Sequence, residues 1–167
     1  SLAYEFCEQV LSVNPVNLDK IVWLTAKKQN FVTYDNSFQS LSRTDFSNVK
    51  SFLCALASHV GIPENKVNDI EIIDFLIDEV IDALKEFHLL IIIDDIDSLE
   101  KDEQLELNDI IKNLVSKSNN KSKALITSRL TLGNAPSQLI SLEGLDSKDF
   151  KNYAEYIFAE YDIPFTS

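Results

Sequence analysis

Three aspartates within four positions follow an apolar run in the segment HLLIIIDDIDSL, residues 88–99. Carboxylates are ligands that Mg²⁺ prefers, and a carboxylate can also orient a water molecule or accept its proton. Because adjacent residues of an extended chain point to opposite sides, Asp94 and Asp95 can perform these two different tasks. Since Mg²⁺ combines few protein carboxylates with phosphate oxygens, the pattern favours a nucleotide site.

A purely structural explanation of the same acids is also open. Asp favours both turns and helix N-caps, so Asp94, Asp95 and Asp97 can form a turn and cap the helix that follows. Asp97 and Glu100 can support the first two acids or simply be solvated. The acidic segment alone does not decide between the two explanations.

A second polar motif ends another apolar run, ALITSRL, residues 124–130. Its polar residues are Thr127, Ser128 and Arg129, and a guanidinium can bind phosphate oxygens through two hydrogen bonds. An exposed arginine at a strand end is the alternative. Two polar motifs that end neighbouring strands on one edge would be stronger evidence for a ligand site than either motif alone.

The spacing of apolar residues predicts alternating helices and strands. Apolar positions recur every three or four residues in the helical segments and form short β-rich runs in the strand segments. A polar stretch from 27 to 47 predicts a loop or a hairpin. Strands are predicted at 20–26, 89–94, 124–128 and 138–144. Helices are predicted at 2–12, from Ser47 as N-cap to Gly61, at 69–87, through Leu107 to Val115, and through Phe150 to Tyr161.

This order predicts an α/β fold in which a mostly parallel sheet is covered by helices on both faces. Right-handed connections bring the carboxyl ends of parallel strands to one edge, where such sheets bind their ligands. Asp94 and Asp95 would lie at that edge.

Composition excludes several classes of function. The net charge of -12 opposes nucleic-acid binding, and no segment is long and apolar enough to cross a membrane. Cys7 and Cys54 read as buried thiols in a reducing compartment, so we expect a cytoplasmic protein without a disulfide. His59 and His88 lack the spacing of zinc ligands. At 167 residues, a single domain over 1–167 is expected.

Taken together, these segments resemble the STAND class of P-loop NTPases, which includes the NB-ARC and NACHT proteins. LLIIIDDIDSL is similar to the Walker B strand of that class, KALITSR to its sensor strand and KIVWLTAK to its second strand. The resemblance implies a three-layer P-loop NTPase fold. It implies that Asp94 coordinates Mg²⁺, Asp95 is the catalytic acid assisted by Asp97, and Thr127, Ser128 and Arg129 contact ATP or ADP.

The phosphate-binding loop of that class, GxxxxGK[ST], is missing, and the three glycines, Gly61, Gly133 and Gly144, cannot replace it. The opening SLAYEFCEQV is similar to the helix that follows the loop. We therefore expect residues 1–167 to be a partial nucleotide-binding domain that lacks its first strand and P-loop and ends before the lid. By itself, such a chain should bind ATP weakly.

The function that the resemblance implies is an ATP- and Mg²⁺-dependent switch with slow hydrolysis, which self-associates and activates an attached effector. Two alternatives stay open: a degenerate interaction module without catalysis, and an initiator-like ATPase of the AAA+ class acting with DNA. A receiver domain is set aside because its later strand should end in a phosphoacceptor Asp, whereas the candidate strands end in Ser128 and Glu143.

Overall fold

The computed structural model describes residues 2–26, 29–32, 37–40, 44–70, 72–129, 139–142, 144 and 146–160, without side-chain detail for 29–32, 37–40 and 160. The chain divides into two compact units, Ser1–Pro136 and Ser137–Ser167. In chain order the elements are α1 (Leu2–Val13), β1 (Lys20–Thr25), β2 (Gln29–Val32), β3 (Ser37–Ser40), α2 (Val49–His59), α3 (Glu64–Asp69), α4 (Ile73–Leu84), β4 (Leu89–Asp94), α5 (Lys101–Lys117), β5 (Lys123–Ile126) and α6 (Ser147–Glu160).

A three-stranded parallel sheet in the order β1-β4-β5 forms the centre of the first unit. The register pairs Thr25 of β1 with Asp94 of β4, and Ile93 of β4 with Ile126 of β5. All three strands therefore end at the same edge, and β4 is the middle strand. This arrangement confirms the predicted mostly parallel sheet.

Helices cover both faces of this sheet. Alternate residues of a strand point to opposite faces, so Val22 and Ile91 enter one core cluster, whereas Trp23 and Ile92 belong to the other. The larger cluster also contains apolar residues of α2, α4 and α5, and the smaller one contains Ala3 and Cys7 of α1. The result is the expected three-layer α/β fold.

The helix predicted to start at Ser47 begins one residue later. Asn48 is the N-cap, and its Oδ1 accepts a hydrogen bond of 2.8 Å from the backbone N–H of Ser51. The Ser51 hydroxyl in turn accepts from the backbone N–H of Asn48 at 3.1 Å. This reciprocal pair of hydrogen bonds is a capping box, so Asn48 is the N-cap residue in place of the predicted Ser47.

The long helix predicted over 69–87 is shorter in the structure. α3 ends at Asp69 and α4 starts only at Ile73, because Ile70 and Ile72 are both extended. Ile70 packs against the larger core cluster, so tertiary packing interrupts a sequence that is amphipathic throughout.

The polar stretch after β1 contains the hairpin that was one of its two predicted forms. β2 and β3 pair antiparallel, with Gln29 opposite Ser40 and Val32 opposite Ser37. The connecting residues 33–36 lie outside the described residues.

In the second unit the last predicted helix is confirmed as α6, but the strand predicted at 138–144 is wrong where the structure describes it. Residues 139–142 form no strand, and a strand needs a paired neighbour to satisfy its backbone groups. α6 begins after Asp146, whose Oδ1 accepts from the backbone N–H groups of Lys148 at 2.8 Å and Asp149 at 2.7 Å. These bonds are a side-chain N-cap.

Candidate functional site

Asp94 ends β4 and is half-buried at the carboxyl edge of the sheet. The hydroxyl of Thr127 donates a hydrogen bond of 2.6 Å to its Oδ1. The middle strand therefore presents a carboxylate that a hydrogen bond from the neighbouring strand holds in place.

Thr127 connects the ends of the two neighbouring strands. Its hydroxyl oxygen also accepts from the backbone N–H of Asp95 at 3.0 Å. Its backbone N–H donates to Ile93 at 2.9 Å, and its carbonyl accepts from Ile96 at 3.2 Å. The sequence predicted a nucleotide contact for Thr127, and the structure places its hydroxyl against the acidic pair.

Asp95 leaves the strand in a left-handed conformation, with φ 62° and ψ 44°. This conformation is uncommon for a residue other than glycine, and Asp is among the residue types that tolerate it. Its Oδ2 accepts a hydrogen bond of 2.9 Å from the hydroxyl of Ser98, which lies in the 3-10 turn Ile96–Ser98. Asp95 is thus held by two short bonds, one to its backbone and one to its side chain.

These contacts test the alternative explanation that the acids form a turn and cap the following helix. The acids do form a turn, since the N–H of Ser98 donates to the carbonyl of Asp95 at 2.9 Å. They do not cap a helix, because the Asp95 side chain makes no capping bond and the N-cap of α5 is Glu100. Helix capping therefore does not explain the acidic residues at this position.

Asp97 lies in the 3-10 turn, and only 4% of its side chain is exposed. It binds Arg129 three times: its Oδ2 lies 2.7 Å from both Nε and Nη2, and its Oδ1 accepts from the backbone N–H at 3.2 Å. Burial by itself would raise the pKa of Asp97, but the hydrogen bonds and the charge of Arg129 outweigh it and hold the pKa below its ordinary value.

Arg129 is 77% exposed at its side chain, and its Nη2 lies 3.7 Å from Oδ1 of Asp95. The hydrogen bond and the charge of Asp97, together with the charge of Asp95, raise the pKa of the guanidinium. Ser128 is exposed beside it. The structure thus brings together Asp94, Asp95, Asp97, Thr127 and Arg129 by direct contacts, and it places Ser128 at the same edge.

A fourth acid at this edge, Asp45, was not predicted. Its Oδ2 accepts a hydrogen bond of 2.9 Å from the backbone N–H of Thr25, the residue that pairs with Asp94. Its own N–H donates to the Thr25 carbonyl at 3.1 Å. Asp45 lies within the polar stretch from 27 to 47, which has no periodicity, so only the folded chain reveals that it lies beside β1.

Among the described residues at this edge, acidic side chains outnumber basic ones. Asp95 and Asp97 contact the guanidinium of Arg129, whereas Asp94 binds the hydroxyl of Thr127 and Asp45 binds the backbone of Thr25. Within the part of the chain that the structure describes, no group of three or more His, Cys, Asp or Glu residues is placed to hold a metal by itself. Mg²⁺ fits such an edge when phosphate oxygens and water complete its coordination.

Comparison with known proteins gives one family. The model of the KAP family P-loop domain matches residues 13–127, which include Asp94, Asp95, Asp97 and Thr127. No curated protein and no solved structure matches the chain. The described part of the chain contains no helix long and apolar enough to cross a membrane.

Proposed function

The chain belongs to the KAP family P-loop domain, and from this membership we propose that it forms part of an ATP- and Mg²⁺-dependent molecular switch. The observation that carries the proposal is the bond between Thr127 and Asp94 at 2.6 Å, which ties the end of the middle strand to the end of its neighbour. In parallel α/β sheets this edge is where ligands bind.

In this proposal Asp94 holds the hydrated Mg²⁺ of a bound nucleotide. The metal, when bound, neutralises charge on the phosphates and so helps a water molecule to attack. Asp95 orients that water and accepts its proton, and its bonds to Thr127 and Ser98 support this task by holding it still. Thr127 acts as the positioning residue of the pair.

Arg129 is the residue that we propose senses the terminal phosphate, with Ser128 beside it. Its guanidinium is exposed and already charged, which suits contact with a phosphate. Asp97 keeps Arg129 at this edge through its two side-chain contacts of 2.7 Å. A nucleotide would therefore compete with Asp97 for the same guanidinium.

The proposal requires a phosphate loop, which the sequence lacks. Among the described residues, β5 pairs with β4 on one side and with no strand on the other. Its residues Ala124, Leu125 and Ile126 are only half-buried. We propose that a strand leading into a phosphate loop pairs along this open edge, so that residues 1–167 are one part of a nucleotide-binding domain.

The finer features of the proposal follow the resemblance to STAND proteins. ATP would favour a conformation that self-associates and activates an attached effector, and slow hydrolysis would reverse it. Cys7 and Cys54 are both free thiols, which favours a reducing compartment and hence the cytoplasm. The absent phosphate loop favours the second candidate, an interaction module of this fold without nucleotide.

The test uses the natural protein that contains these residues, with binding of MgATP measured by titration calorimetry. We expect the wild type to bind MgATP and Asp94→Asn to lose the Mg²⁺-dependent part of the affinity. Asp95→Asn should retain binding and lose about a hundredfold or more in turnover, the usual contribution of a general base. Asp102→Asn, an exposed acid of α5, is the matched control.

Two results would decide against the proposal. Wild-type protein that does not bind MgATP would favour the interaction module. Binding and turnover that are equal in the wild type and in Asp94→Asn would exclude the role given to Asp94. Residues 1–167 by themselves should bind MgATP weakly, because the phosphates need backbone N–H groups and a lysine that this part does not supply.

A further inference from the structure

A groove of about 510 Å³ lies between α3 and α4. None of its lining residues belongs to the candidate nucleotide site. Ile70, Ile72 and Phe75 supply its apolar part, and acidic residues of both helices surround them. The groove is therefore a second surface feature that nucleotide chemistry does not explain.

The apolar residues of the groove are unusually open to solvent. Phe75 is 61% exposed and the N-cap residue Ile72 is 56% exposed, although most other apolar residues of α4 are buried. Phe75, Asp78, Glu79 and Asp82 are spaced by three or four residues, so they share one face of α4. Phe75 and the N-cap residue Ile72 thus form an apolar patch at the start of a helix face that is otherwise acidic.

The negative charge of the groove is only partly neutralised. Lys66 of α3 binds Glu79 at 2.5 Å, and Lys85 binds Asp82 at 2.7 Å. Asp69 and Asp78 have no ion-pair partner among the residues that the structure describes. Two carboxylates, one on each side of the apolar residues, are therefore available to a positively charged ligand.

We propose that this groove binds an amphipathic basic helix of a partner protein, with apolar residues on one face and Lys or Arg beside them. The apolar face would cover Phe75 and Ile72, and its cations would pair with Asp69 and Asp78. Helices commonly bind in grooves of this kind through apolar anchors at a spacing of three or four residues.

Charge complementarity selects this occupant over the others. The acidic residues of the groove would repel an anionic lipid surface or a nucleic acid, and a second copy of the chain, with its net charge of -12, offers them less attraction than a basic helix does. A basic helix is attracted, and its apolar face removes exposed aromatic surface from water. The expected partner is thus a helix with a basic, amphipathic surface.

The experiment uses the chain and a short amidated peptide that forms an amphipathic helix of Leu and Lys, with a matched peptide in which Glu replaces Lys. Binding is measured by fluorescence anisotropy at low and high salt. We expect the Lys peptide to bind, the Glu peptide not to bind, and Phe75→Ser to weaken binding about tenfold or more, as for a central aromatic anchor. Salt should weaken the interaction.

Non-specific attraction between opposite net charges is controlled by a pair of variants. Asp78→Lys and Asp102→Lys change the net charge equally, but only Asp78 lines the groove. A larger loss for Asp78→Lys supports the proposal, and equal losses overturn it. Both residues are exposed, so both variants should fold, which circular dichroism verifies.

A second measurement distinguishes a partner from a second copy. Sedimentation of the chain without peptide should show no dimer that depends on Phe75. A dimer that Phe75→Ser dissociates would overturn the proposal and assign the groove to self-association. Nucleotide binding is not an outcome in either measurement, so failure here leaves the proposed switch function unaffected.

Discussion

At the residue scale, the hydroxyl of Thr127 contacts both candidate acids. One hydroxyl donates to the carboxylate of Asp94 and accepts from the backbone N–H of Asp95. A hydroxyl can do both at once, whereas an apolar side chain of the same shape can do neither. The positions of both candidate acids therefore depend on one oxygen atom of the neighbouring strand.

Thr127→Val should lower the free energy of unfolding by about 1–3 kcal/mol, because it leaves a half-buried N–H group and a carboxylate without their partner. Thr127→Ser keeps the hydroxyl and should lose less. Urea unfolding of both variants measures the difference. Equal stability of Thr127→Val and the wild type would mean that these two hydrogen bonds contribute little.

The ion pair between Asp97 and Arg129 makes stability depend on pH. Because the pKa of Asp97 in the folded protein lies below the ordinary value of 3.8, folding favours its charged form. This stabilisation is complete above the pKa of the unfolded chain and is lost as the pH falls through the folded value. Asp97→Asn removes it at every pH.

We therefore expect Asp97→Asn to be less stable than the wild type at pH 7 and to approach it in acid, below about pH 4. Urea midpoints at several pH values measure this. Asp19 also has a lowered pKa, chiefly because the backbone of His88 donates a hydrogen bond to it. Asp19 is present in both proteins, so their difference isolates Asp97, and a constant difference across this range would contradict the assignment.

At the scale of single elements, the start of α2 is fixed by contacts from two parts of the chain. The capping box of Asn48 and Ser51 is local. Glu103 of α5 adds a distant contact, since its Oε2 accepts from the backbone N–H of Val49 at 2.8 Å. Both partners satisfy N–H groups that the helix itself leaves without acceptors.

Asn48→Ala should destabilise the first unit by about 1 kcal/mol, the usual cost of losing an N-cap side chain. Ser47→Ala, at the neighbouring position that the sequence favoured, should change stability little. Thermal unfolding of the two variants compares them directly. A greater loss for Ser47→Ala would mean that the helix begins where the sequence predicted.

At the scale of the whole molecule, stability comes mainly from the larger core cluster. Leu56 is completely buried in it, whereas Leu11 on α1 is 58% exposed. Leu56→Ala should cost about 3–5 kcal/mol, because it removes buried methyl groups and leaves a cavity. Leu11→Ala should cost far less, and urea unfolding that ranks the two variants in the opposite order would contradict this description of the core.

The fold class was predictable because it rests on periodicity, which is a local property. The four-residue spacing of apolar residues in α4 is typical of an amphipathic helix, and the short, β-branched apolar run of β4 is typical of a buried strand. The same holds for the position of Asp94, since a polar residue that ends a buried strand must lie at an edge of the sheet. Fold class and carboxyl-edge location therefore follow from sequence alone.

The predictions that proved wrong concern boundaries and one strand. Asn48 replaces Ser47 as N-cap because the two residue types cap almost equally well, and only packing selects between them. Residues 139–142 have strand-like composition but no strand. Strand formation requires a neighbour, and a sequence does not state whether that neighbour is present.

By itself, the sequence determined the α/β class, the strand that ends in Asp94, and the two polar motifs at strand ends. Only the tertiary structure decided which atoms meet: Thr127 with Asp94 and Asp95, Arg129 with Asp97, and Asp45 with the end of β1. The reason is physical. Hydrophobic periodicity is a pattern among residues close together in the sequence, whereas a hydrogen bond between residues 32 or 33 positions apart depends on strand order and register.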